Sequence, residues 1–254
     1  MPAERTTRPP RGPAPCDRYQ EFGVDRHTTV TDERQRRYLR ALLRRSFPVR
    51  RPVQHDFACG TGRAIRLLHG LVHAAHGYDF CDAMLARAHS LGVPADLHLV
   101  ALGGPAPKPP PGHRPVVVTC VGFIATAEPP ARDLALAFAA EALPRPESGL
   151  LVIEHQRRPG GRHPDGPGLS HAELIRLLAR HGFRVTERRG FGLVPAAWYR
   201  WPTLRWAAFV VDGLALWLPA LAPWCATTFY VARRDAPATQ LPPEAARPGG
   251  GEQA

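Results

Sequence analysis

The stretch Asp56-Phe-Ala-Cys-Gly-Thr-Gly62 has the residues of a ligand-binding turn. Gly60 and Gly62 let the backbone bend sharply and let a ligand approach with no Cβ in the way. The stretch lies between a strand-like segment, Val53 to Ala58, and a helix-like one that opens at Arg63. The unsatisfied N–H groups of that helix face the turn. The next strand-like segment ends at Asp79, 17 residues beyond Gly62. A carboxylate at the end of a second strand is placed to accept both hydroxyls of an adenosine ribose. A nicotinamide-binding unit wants a third glycine near position 65, where helix and strand pack closely. Position 65 is Ile, which argues against a dehydrogenase.

The elements that must position these groups follow from periodicity. Helices are predicted over Arg34 to Arg45, Arg63 to His73, Asp82 to Ser90 and Arg132 to Leu143. Strands are predicted over Val53 to Ala58, Ala74 to Phe80, Leu97 to Leu102, Val116 to Cys120 and Leu150 to Glu154. Ser170 and Glu173 form a capping box. Leu174, Leu177 and Leu178 follow as an apolar face, and Gly182 closes that helix. Phe183 to Arg188 and Ala226 to Ala232 are the last two strands. Strands alternating with helices imply an α/β fold. It is a Rossmann-like, doubly wound, mostly parallel sheet with an antiparallel last strand. An N-terminal helical cap and a C-terminal lid insertion, about 191–224, complete one domain over 16–234. Residues 1–15 and 235–254 are rich in Pro, Gly and charge and are expected to be disordered tails. Residues 103–115, with six prolines, form an extended loop.

Composition bounds the partners. The formal net charge is +11, but Lys108 is the only lysine and the arginines are scattered. That pattern disfavours nucleic acid as the partner. Five cysteines, widely spaced and without a C-x-x-C, suggest no disulfide framework. With no apolar leader before Gly12, they fit a reducing cytoplasm. His69 and His73 stand four apart, but no acidic ligand accompanies them, so a solvated helix face is expected and no metal site. All five tryptophans fall within 195–224. Pro219 and Pro223 cut that apolar run too short to span a membrane. A lid over the acceptor pocket is expected, and peripheral contact with lipid is the other reading.

The glycine turn resembles motif I of the class I S-adenosylmethionine-dependent methyltransferases, V-L-D-x-G-C-G-T-G. Tyr78-Asp79-Phe80-Cys81-Asp82-Ala83-Met84-Leu85-Ala86-Arg87-Ala88 is similar to the family's block G-V-D-x-S-x-x-M-L-x-x-A. Residues 141–154 resemble the block around R-V-L-K-P-G-G-x-L-V-I, and residues 170–185 resemble S-x-x-E-L-x-x-L-L-x-x-A-G-F-x-V. The resemblance implies S-adenosylmethionine as cofactor. It implies that Asp56, Ala58, Gly60 and Gly62 lie along its methionine part and that Asp79 holds the ribose. Phe80 and Met84 pack near the adenine, Leu102 stands where relatives often carry an adenine-binding Asp, and Cys120 borders the reacting methyl group. Methyl transfer needs mainly positioning, with an optional general base. His155 is the expected base, with Glu154 beside it past the fifth strand.

Three departures accompany the resemblance. Gln54 and His55 put polar groups into a central strand that must find partners for them. Leu102 replaces an acid. Cys16-Asp17 and Val24-Asp25 stand where relatives carry Tyr-Asp pairs. The implied activity is methylation of a small, apolar or aromatic acceptor such as a natural product, favouring an oxygen atom. The alternatives are a non-methylating descendant, either a cyclase or an accessory protein, and a membrane-peripheral binding protein.

Overall fold

A computed structural model describes residues 26–157, 162–163 and 166–235. The expected tail at 1–15 and the Cys16-Asp17 and Val24-Asp25 positions lie outside the described residues. So does all of the expected C-terminal tail except Asp235, whose N–H reaches the Gly182 carbonyl at 3.0 Å.

The strands are β1 (Val53–Phe57), β2 (Ala74–Asp79), β3 (Asp96–Leu99), β4 (Val116–Cys120) and β5 (Gly149–Gln156). After these come the two-residue pair β6 (Arg162–His163) and β7 (Gly166–Pro167), then β8 (Phe183–Phe191) and β9 (Thr227–Arg234). Seven of them make one sheet in the order β3-β2-β1-β4-β5-β9-β8. The first five run parallel, and β9 lies antiparallel between β5 and β8. The strand order reverses between β1 and β4, so the carboxyl ends of β1, β2, β4 and β5 open a crevice for ligands.

Helices cover both faces. On one side α4 (Pro129–Ala142) and α5 (His171–Arg180) bury Phe138, Leu174 and Leu178 against Phe57, Tyr78, Val118 and Ile153. On the other, α1 (Arg26–Ser46) and α2 (Arg63–Leu68) bury Leu39, Leu43 and Leu68 against Val117, Val152 and Phe229. Helix α3 (Asp82–Ser90) closes the near edge through Leu85 and Ala88. The capping box of α5 forms as expected, Ser170 and Glu173 each satisfying the other's backbone N–H.

Several predicted boundaries move. Helix α2 stops at Leu68 rather than His73, because Gly70 turns at φ 80°. His69 and His73 are therefore not stacked on one helix face. Strand β3 stops at Leu99, where the chain turns toward Gly103 at φ 82°. Strand β5 runs to Gln156, so Glu154 and His155 lie inside it rather than past it. Helix α1 starts at Arg26, eight residues before the predicted start at Arg34. Cys59, Cys120 and Cys225 are free, and Cys81 is disulfide-bonded.

The connection between β8 and β9 holds a 3-10 turn (Ala196–Arg200), α6 (Pro202–Ala215) and a second 3-10 turn (Pro219–Trp224). A buried charge within it helps to anchor it. Asp212, fully buried, accepts from the Tyr199 hydroxyl at 2.5 Å and the Val194 N–H at 2.9 Å, with the Arg34 guanidinium 3.9 Å away. Asp212→Ala orphans two buried donors and a cation, at a cost of about 3 kcal/mol. The expected outcome is local opening of 191–224, seen as faster amide exchange there while β1 and β4 keep their protection. Unchanged exchange would show that the anchor is dispensable.

Candidate functional site

The turn after β1 is built from three left-handed residues: Ala58 at φ 57°, Gly60 at φ 54° and Gly62 at φ 77°. Ala58 is the only described non-glycine residue with positive φ, a strained geometry that clusters at ligand sites. The two glycines serve different ends. A Cβ on Gly62 would strike Val93 at 2.7 Å, so that glycine lets α2 pack against the turn before Ala95. A Cβ on Gly60 would meet no protein atom within 4 Å, so the turn faces open space there.

Asp79 closes this arrangement. Its Oδ2 accepts the Gly60 N–H at 2.7 Å and its Oδ1 the Cys81 N–H at 2.9 Å. The carboxylate thus ties the end of β2 to the glycine turn, and each oxygen keeps a lone pair for a further donor. Burial raises its pKa, opposed by the N–H groups of Gly60, Cys81 and Phe80.

Beneath the turn lies a buried polar chain. The Gln54 amide donates to the Thr119 hydroxyl at 3.1 Å, and Thr119 donates to Asp56 Oδ1 at 2.5 Å. His55, on the opposite face, meets the Tyr78 hydroxyl at 3.3 Å and stacks on His76. These contacts supply most of the partners that the polar strand β1 demanded; Gln54 Oε1 has none. Burial pushes the Asp56 carboxyl up to about 7, with Asp79 adding to the rise and Thr119 opposing it.

Arg63 opens α2, where the helix dipole disfavours a cation. It is held by acceptors from elsewhere: Asp32 at 2.7 Å and Gln35 at 2.5 Å on α1, with Glu154 at 3.8 Å on β5. Glu154 is 1% exposed, its Oε2 has no hydrogen-bond partner, and burial raises its pKa against the pull of Arg63. Gly122, at φ 72° after β4, lies beside this carboxylate. Sequence reading missed Arg63, Gln35 and Thr119. The visible signal for Arg63 was a cation at a helix start with no acid in the first turn.

The structure separates His155 from Glu154. Alternation along β5 turns His155 to the α5 face, where Nε2 binds the Leu169 carbonyl at 2.6 Å and the ring packs on His171 at 4.2 Å. Burial lowers its pKa, and Nδ1 is buried without a partner. Cys120 likewise points into the core below α4, 2% exposed. Phe80 stacks on Phe123 beside Phe57, giving the crevice an aromatic wall. Met84 is half-buried on α3, and Leu102 is exposed on the turn after β3.

No family model and no curated protein matches the sequence. Solved structures do match in shape. Magnesium protoporphyrin IX methyltransferase from Synechocystis PCC 6803, with bound SAM, superposes with a TM-score of 0.54 at 13% identity, over 85% of this chain and 88% of that one. An S-adenosylmethionine-dependent methyltransferase from Mesorhizobium loti gives 0.51 at 19% identity, over 76% and 96%. CalS10, an amino pentose methyltransferase from Micromonospora echinaspora, gives 0.50 at 15% identity, over 84% and 93%. With its strand order, its antiparallel β9 and its glycine turn after β1, the chain has the fold of the class I S-adenosylmethionine-dependent methyltransferases.

Proposed function

We propose that the chain is an S-adenosylmethionine-dependent methyltransferase of a small, apolar or aromatic acceptor, with oxygen as the accepting atom. The observation that carries this reading is the Asp79 carboxylate, fixed by Gly60 and Cys81 at the mouth of the glycine turn with lone pairs to spare. The residues fit the cofactor: the open side of Gly60 takes its methionine part along Asp56, Ala58 and Gly62, and Asp79 takes the ribose hydroxyls. Phe80 and Met84 pack on the adenine, Leu102 borders its edge, and Cys120 contributes backbone at the end of β4. When bound, the sulfonium supplies the activated methyl group.

The chain's own task is then to orient an acceptor and take its proton. His155 spends Nε2 on a carbonyl and faces α5, so this role passes to Glu154, on the face of Arg63 and Gly122. Burial raises its pKa against the pull of Arg63, which makes the carboxylate a stronger base. The apolar acceptor is inferred from the stacked rings of Phe80 and Phe123 beside the glycine turn.

One observation favours a non-methylating relative: Leu102 offers the adenine amino group no side-chain acceptor. Calorimetric titration with S-adenosylhomocysteine, followed by a labelled-methyl assay on ring-hydroxyl acceptors, tests both readings. Saturable binding with transfer is expected. Binding without transfer to any acceptor supports the non-methylating relative, and silence with both S-adenosyl compounds defeats the cofactor assignment.

A further inference from the structure

Helix α6 is built inside out. The residues it buries against the protein are Ala208, Asp212 and Ala215. The residues it turns to solvent include Trp206 at 74%, Phe209 at 52% and Leu214 at 61% exposure, and Trp217, just past its end, at 79%. A helix packed only on its own domain places large apolar groups inward and small or charged ones outward. Here the order is reversed, and Trp201 just before the helix and Trp224 in the second 3-10 turn are exposed as well, at 64% and 58%. An apolar patch so exposed marks a surface made to be covered.

The charge around the patch selects what covers it. Between Pro195 and Trp224 the only acid is Asp212, and it is buried under Arg34. Arg200 and Arg205 are exposed and pair with no acid among the described residues. A second copy docked through a two-fold axis would set these arginines and their twins on one self-facing patch, with no exposed acid to offset them. A bilayer with anionic headgroups complements them instead, because its negative surface potential attracts arginines held near it. Tryptophans at both ends of the face match the headgroup level, where an apolar ring carrying one N–H donor is most at ease. At about 1.5 Å per residue, α6 spans ~21 Å, enough to lie in the interface and too little to cross the hydrocarbon core. No described helix is long and apolar enough to cross a membrane.

We propose that α6 and its flanking turns are a docking face for an anionic lipid bilayer, lying in the interfacial plane with Trp206, Phe209, Leu214 and Trp217 inserted. The face is one helix from the crevice: Arg34 of α1 holds the Phe209 carbonyl at 2.7 Å, and Asp32 and Gln35 of the same helix hold Arg63. The proposal does not depend on which cofactor the crevice binds.

The tryptophans make the test direct, since every one lies in this segment and selectively excited tryptophan fluorescence reports on it alone. The full chain is mixed with phosphatidylcholine–phosphatidylglycerol vesicles and with phosphatidylcholine vesicles. The expected result is pelleting with the anionic vesicles, at least tenfold weaker with the neutral ones, and quenching of the fluorescence by bromine-labelled acyl chains. Trp206→Ser combined with Trp217→Ser, two exposed sites outside the crevice, should lose at least tenfold in vesicle affinity and keep the wild-type circular dichroism. No pelleting overturns the proposal. So does pelleting without quenching, which means charge-only adherence of arginines elsewhere. A dimer in sedimentation velocity that the double variant dissolves, with no vesicle binding, assigns the face to a second copy and overturns it as well.

Discussion

Asp79→Ala is expected to lower affinity for S-adenosylmethionine and S-adenosylhomocysteine alike by about 100-fold or more. Two ribose hydroxyls donating to an ionised carboxylate are worth roughly 1.5–3 kcal/mol each, and about 1.4 kcal/mol is tenfold in affinity. The alanine also releases the Gly60 N–H that Asp79 holds at 2.7 Å, so the glycine turn loses its brace as well as its ligand group. Asp79→Asn keeps one carbonyl oxygen and one of the two backbone contacts, and is expected to lose about tenfold. Calorimetry on both variants, with circular dichroism to confirm the fold, reads the effect. An alanine variant that binds as tightly as the parent would remove Asp79 from the ribose contact.

The second large effect concerns stability. The Asp56 carboxyl has an ordinary value of 3.8 and is pushed up to about 7 by burial under the turn. Because the folded state holds this proton more tightly than the unfolded chain, the group costs nothing below pH 4. Between pH 4 and pH 7 it takes stability away as the unfolded carboxyl ionises first, and above pH 7 the loss is constant. The shift of about three units sets an upper limit on the order of 4 kcal/mol. Asp56→Asn keeps an oxygen for the Thr119 hydroxyl and cannot ionise. Its spare amide hydrogens need acceptors and offset part of the gain. The expected outcome in urea unfolding is near-equal stability at pH 5 and an asparagine variant about 2 kcal/mol more stable at pH 8. A difference independent of pH between 5 and 8 would show that the buried carboxyl does not titrate there. A carboxyl kept at such a cost is characteristic of a functional site.

What could be read from the chain was local chemistry. The glycine turn, the acid at the end of β2 and the capping box of α5 each consist of residues close in sequence whose roles follow from backbone geometry. The mostly parallel, doubly wound sheet followed from the alternation of strands and helices, while the strand order came from the structure alone. Boundaries shifted where periodicity was silent: the first turns of α1 carry charge and threonine with no apolar stripe, and α2 gave way at Gly70. The site around Arg63 was illegible for another reason. Asp32, Arg63 and Glu154 lie far apart in the chain and meet only when α1, α2 and β5 converge. The roles expected of His155 and Cys120 depended on which face each strand residue takes. A strand one residue longer or shorter at its start leaves the end of β5 looking the same in sequence, while its alternation decides between Glu154 and His155.

The position of β9 has a consequence for biosynthesis. It is the last strand of the sheet to leave the ribosome, yet it sits in the interior, bonded to β5 on one side and β8 on the other. Until Thr227–Arg234 emerge, nascent β5 and β8 both present unpaired edges, the kind that recruit other chains. The sheet is therefore completed by threading a late strand into a waiting slot, and a chain stalled just before Thr227 is the form most exposed to aggregation.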